Sequence, residues 1–84
     1  MTDLATESLD SLVRRLFPKT EVDRALELVM RYGNSPKDQE VERVRVAMVR
    51  LSHGDISRLN RLVGSAKEDH QDVLWWAEEE EEGE

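Results

Sequence analysis

From Ile56 onward the apolar residues recur in steps of three and four without a slip: Ile56, Leu59, Val63, Ala66, then Val73, Leu74 and Ala77, with His70 filling the one gap. This spacing keeps one face of an α-helix apolar for about six turns. Nothing else in the chain constrains the fold so strongly. It predicts one long helix over 56–78, with "GSAKEDHQD" as a run of poor helix formers where a kink can sit. A stripe of that length must be covered, so the preceding residues have to supply helices that lie on it.

Three such helices can be read. Over 7–17, Leu9, Leu12, Val13 and Leu16 share a face; Thr6 is the expected N-cap with Ser8 as its competitor, and Pro18 ends the segment. Over 21–32, Val22, Ala25, Leu26, Val29 and Met30 share a face, Thr20 is the expected cap, and Gly33 follows. Over 36–53, Ser35 is the expected cap and Pro36 the first helical residue. Val41, Val44, Met48 and Leu51 form its stripe, Val46 and Val49 lie on other sides, and Arg43 and Arg50 mark a wet face. A helix apolar around so much of its circumference is expected to be central. Gly54 can close that helix and Asp55 can cap the next, a connection tight enough to force the two to pack together. No strand pattern appears. The fold class expected is therefore all-α: a compact bundle of four helices forming one domain over 1–78, with a disordered acidic tail over 79–84.

At 84 residues the core is small and gains from good helix packing or from a partner. Without cysteine there are no disulfides or thiolate metal sites. "MTDLATESLD" lacks a basic region followed by an apolar run, and no apolar stretch approaches the roughly 20 residues that span a bilayer. A cytoplasmic protein with no membrane role is the expectation. The net charge of -7 is unevenly spread: -2 over 1–41, +3 over 42–64 and -8 over 65–84. Such a chain does not steer itself toward nucleic acid. The arginine-rich middle can bind something acidic, the chain's own tail included.

No catalytic constellation is apparent. His53 and His70 stand seventeen residues apart without zinc-ligand spacing. Placement near a helix C-terminus explains His53, and a core-facing slot with its polar tip at the rim explains His70. Ser52 and His53 are adjacent on a helix and point about 100° apart, so they form no dyad. "GNSPKD" lacks the glycine-rich phosphate loop, and "DHQD" lacks a calcium-loop context. No cofactor is expected, and the chain is not expected to be an enzyme.

The tryptophans carry the sharper question. Adjacent side chains cannot both face one core. Trp76 falls beside Leu62 and Val73, at the edge of the stripe, and is expected to help close the core; Trp75 points away from the stripe's centre. An exposed tryptophan is favoured at interfaces. "EEEEEGE" reads as a solvated tail fraying from about Glu79, able to fold weakly onto Arg43, Arg50, Arg58 and Arg61.

Arg50, Leu51, Ser52, Gly54, Asp55 and Ile56, then Asp69, His70, Asp72, Val73, Leu74, Trp76, Ala77 and Glu78, form one pattern within 41–78. In that pattern the chain resembles a set of short uncharacterised bacterial helical proteins. His70 stands where tyrosine is more usual, which favours packing over imidazole chemistry there. The resemblance implies a bacterial, cytoplasmic helical protein and implies no activity.

The function expected is a small non-catalytic protein–protein interaction module, homodimeric forms included, with Trp75, Arg43, Arg50, Arg58 and Arg61 as partner-binding candidates. One alternative is an acidic nucleic-acid mimic or antitoxin-like inhibitor of a basic protein. A second is a DNA-binding module like a helix-turn-helix that uses Arg58 and Arg61, which the charge disfavours.

Overall fold

A computed structural model describes residues 8–82 of the chain, 81 and 82 through their backbone alone. It is all-helical. Five α-helices follow one another: α1 (Leu9–Leu16), α2 (Val22–Val29), α3 (Val41–Ser52), α4 (Ile56–Glu68) and α5 (His70–Glu82), with a single 3-10 turn at Lys19–Glu21 before α2.

The helix 7–17 is shortened to α1. Ser8 caps it, its hydroxyl accepting the Ser11 N–H at 3.2 Å; Thr6 lies outside the described residues. Phe17 leaves in an extended conformation ahead of Pro18. Leu12, Val13 and Phe17 are buried, and Leu9 and Leu16 pack at the edge.

Thr20 does not cap the second helix. It lies inside the 3-10 turn, whose Glu21 N–H donates to the Pro18 carbonyl, and α2 starts without a side-chain cap. The α2 core face is Val22, Ala25, Leu28 and Val29; Met30 is 44% exposed. Beyond Val29 the backbone tightens, with Arg31 and Tyr32 N–H donating to the carbonyls of Leu28 and Val29.

The third helix does not begin at Pro36. Residues 33–40 form a loop closed by its own polar groups, and α3 starts only at Val41. The Asp38 carboxylate accepts the Gly33 N–H at 2.7 Å and the Ser35 N–H at 3.3 Å. The Tyr32 hydroxyl donates to the Gln39 carbonyl at 2.7 Å and accepts the Gln39 N–H at 3.0 Å. Asp38 and Tyr32 therefore compete successfully with the helix that Ser35-Pro36 would have started. Once begun, α3 is central as expected and touches the other four helices.

The 56–78 helix is broken. Asp69 adopts an extended conformation (φ -158, ψ 98) between α4 and α5, and its side chain accepts the Gln71 N–H at 3.0 Å. A straight helix over 56–78 would be about 35 Å long, whereas the protein extends 29 Å along its longest axis. Breaking at Asp69 folds the second half of the stripe back onto α3. The apolar pattern survives the break: Leu59, Leu62, Val63, Ala66 and Val73 are buried, with Ile56, Leu74 and Ala77 packed beside them. The bundle therefore has five helices, not four.

The acidic end does not begin as a disordered tail at Glu79, although Gly83 and Glu84 of that expected tail lie outside the described residues. α5 remains helical to Glu82, and Glu80 Oε2 lies 2.9 Å from His53 Nε2 at the end of α3. That contact and the packing of α5 against α3 offset the repulsion between neighbouring glutamates.

Candidate functional site

The connection between α3 and α4 takes three residues. His53 (φ 51) and Gly54 (φ 80) are both left-handed, and Asp55 caps α4, its Oδ1 accepting the Arg58 N–H at 3.1 Å. The buried Ser52 hydroxyl donates to the Val49 carbonyl at 2.6 Å and accepts the Gly54 N–H at 3.3 Å. A Cβ at Gly54 would collide with the Leu16 carbonyl of α1. The segment Leu51-Ser52-x-Gly54-Asp55 is thus occupied with structure: a core residue, a bonded hydroxyl, a left-handed turn against α1, and a cap.

The histidines have similar work. His53 follows α3 and contacts Glu80 of α5; His70 opens α5 and its Nε2 is 3.8 Å from Oε2 of Glu40, which precedes α3. Glu40 (φ 48), like His53, is a left-handed residue. α3 and α5 consequently run in the same direction, pinned to one another near both ends. Among the described residues no group of three or more His, Asp or Glu is arranged to hold a metal ion, and no helix is long and apolar enough to cross a membrane.

Two depressions stand out among the described residues. The smaller, about 430 Å³, lies over the 33–40 loop and is lined by Tyr32, Asp38, Lys67 and His70 among others. Its groups hold one another. Lys67 Nζ is 3.1 Å from Asp38 and 5.9 Å from the Tyr32 ring centre. The Gly33 N–H, and then Lys67, hold the Asp38 carboxyl below the usual carboxylate range, while burial pushes the Tyr32 hydroxyl upward.

The larger is an open groove of about 710 Å³ between α1, α3 and α5. Leu9 and Leu12 of α1, Val46 and Ala47 of α3, and Leu74 and Ala77 of α5 give it an apolar lining, with Met30 at one side. Arg43, Arg45 and Arg50 bring positive charge to it, Glu42 and Glu78 negative charge. Arg45 Nε donates to the Tyr32 carbonyl at 2.9 Å, and Arg43 is 2.6 Å from Glu40 in an exposed pair.

Of the residues expected to meet a partner, Arg43 and Arg50 line this groove. Arg58 and Arg61 do not; both are exposed on α4. Trp75 is 58% exposed. It does not line the groove, but Glu78, which does, is three positions further along, so Trp75 lies about 60° around α5 from it, at the groove's outer rim. Trp76 is not the core edge expected of it. It is 39% exposed and stands on the opposite flank of α5, because Val73 and Ala77 take the inward positions.

Sequence reasoning placed Leu9, Leu12 and Leu74 in the core, although each also borders the groove. The available signal was Val46, which falls off the α3 stripe between Arg43 and Arg50. No known family model, curated protein or solved structure matches the chain.

Proposed function

We propose that the protein is a small non-catalytic interaction module that takes a partner protein into the groove between α1, α3 and α5. The observation that carries this reading is Trp75, exposed at the rim of an apolar groove edged by Arg43 and Arg50. A large exposed aromatic beside an apolar depression has the composition of an interface anchor, with arginines as the flanking residues most enriched at such sites. Many of the polar groups described elsewhere serve loops, caps and helix-to-helix pairs, whereas this face carries apolar surface that no other part of the described chain covers.

The test compares capture of partner proteins by the immobilised chain with capture by Trp75→Ala and by Arg43→Glu/Arg50→Glu. A partner retained by the wild type and lost in both variants supports the reading. Partners retained equally by all three, or a strict monomer that retains none, refute it.

A second reading, an acidic mimic that inhibits a basic protein, draws on the glutamates that α5 presents in helical form as far as Glu82. It predicts that deleting residues 79–84 abolishes capture of a basic protein and that Trp75→Ala leaves it intact.

A further inference from the structure

The groove and the outer face of α5 carry matching patterns. Along the groove, α3 presents Arg43, Val46 and Arg50, spaced i, i+3, i+7. On the outer face of α5, Asp72, Trp75 and Glu79 have the same spacing, and all three are exposed. Each set spans about 10 Å along its helix. One reads basic, apolar, basic; the other reads acidic, aromatic, acidic. Residues spaced in this way share one helix face. Laid side by side in parallel, the two faces pair Asp72 with Arg43, Trp75 with Val46 and Glu79 with Arg50. Laid antiparallel, the acids exchange arginines and Trp75 meets Ala47, which also lines the groove.

The two faces cannot meet within one chain, because α5 already packs on α3 through Val73, Leu74 and Ala77. They can meet between two chains. On α5, Trp75 lies about 60° around from the groove-lining Glu78, with Glu79 and Asp72 about 40–60° further on, so the stripe borders the groove through Trp75 and faces outward beside it. A two-fold pair then forms both contacts at once, each copy giving its stripe and receiving the other's, as an isologous interface requires.

We infer that the occupant of the groove is α5 of a second copy of this chain, with Trp75 as its apolar anchor and Asp72 and Glu79 against Arg43 and Arg50. This rests on the groove being an interaction site and names the partner. The exposed Arg43–Glu40 pair offers little resistance to exchange, since such pairs contribute little to stability. Glu42 and Glu78, also at the groove, favour register: an acidic stripe shifted onto them is repelled.

Sedimentation equilibrium of the full chain, up to about 1 mM at low salt, tests it. A wild-type dimer is expected that weakens as salt rises. Trp75→Ala should raise the dissociation constant by about tenfold or more, as loss of a central anchor does. Arg43→Glu/Arg50→Glu and Asp72→Lys/Glu79→Lys should each be monomeric alone, since groove and stripe then carry the same sign. Mixed one to one they should dimerise, because each groove now meets the opposite stripe.

Far-ultraviolet circular dichroism establishes that both variants fold. If either does not, the Trp75→Ala comparison decides alone, and an unchanged dimer overturns the inference. A monomeric wild type, or folded variants whose mixture stays monomeric, also overturns it. In those cases another occupant has the groove, a different protein or the chain's own residues 1–7. Capture of a different protein that is lost in Trp75→Ala would then leave the interaction reading standing while this inference falls.

Discussion

Tyr32 and Trp75 are the instructive pair in this small molecule. Tyr32 is 1% exposed, and its hydroxyl both donates to and accepts from the backbone of Gln39, while Lys67 lies over its ring. Trp75 is the larger side chain and is 58% exposed. A domain of this size has few large side chains with which to build a core. One aromatic closes the loop that precedes α3, and the other is left out on the rim of an apolar groove. The polar groups around Tyr32 hold one another; the groove beside Trp75 keeps an exposed apolar lining. Where stability and recognition draw on different aromatics, substitutions can separate them.

The largest effect should come from Tyr32→Ala. It removes a buried ring and leaves both backbone groups of Gln39 without their partner, so thermal or denaturant unfolding should register a loss of about 3–5 kcal/mol. A loss under 1 kcal/mol would mean that the loop over 33–40 closes without it, and the contrast with Trp75 would collapse.

Gly54→Ala comes next. The alanine would have to adopt φ 80 with its Cβ against the Leu16 carbonyl, and a loss of about 1–3 kcal/mol is expected in urea unfolding. It acts on the α3–α4 turn, at a distance from both aromatics, so its cost should add to that of either.

Asp38→Asn should show itself chiefly through pH. The carboxyl is held below its unfolded-state value, so it contributes stability above that value and loses it as the pH falls through the lower, folded-state value. Wild type and Asp38→Asn should therefore differ in melting temperature near neutrality and converge in acid. Parallel curves from neutral pH down to pH 2 would show that the Gly33 and Lys67 contacts are not what hold the loop.

Trp75→Ala should change stability least, within about 0.5 kcal/mol, because more than half of the residue is exposed in one chain. The measurement must be made on dilute protein. A cost that grew with protein concentration would belong to association and not to the fold.

Much of the fold was legible because burial follows periodicity. The stripe from Ile56 to Ala77 is buried or half-buried as its spacing requires, and Val44, Met48 and Leu51 are in the core. What periodicity hides is a break that keeps phase. Asp69 interrupts the backbone without moving Val73 and Leu74 off the stripe, so nothing in the apolar pattern records it. The signal was there in Asp69 itself, a residue that competes for backbone N–H groups, and in a helix longer than so short a chain can be wide. The start of α3 at Val41 is hidden for a similar reason. Ser35-Pro36 is a sound helix start by local rules, and it loses to Asp38 and Tyr32, whose partners become visible only once the loop has folded. Of the groove, the sequence marks Arg43 and Arg50 as a wet face and turns Trp75 away from the stripe, without deciding whether Trp75 is covered. That α1 and α5 stand apart over Val46, and so leave the depression between them, is a property of packing that no single segment encodes.

The contact of Gly54 with the Leu16 carbonyl bears on how the molecule is made. Short links join α3, α4 and α5, so these three helices can find one another with little loss of chain entropy. α1 has its seat on a turn nearly forty residues further along, and α2 packs largely on α4. A ribosome delivers the chain in the opposite order, α1 and α2 first. Until Gly54 and the helices either side of it have emerged, Leu12, Val13 and Val29 have only the small contact between α1 and α2 to rest on, and the first half of the protein waits for the second.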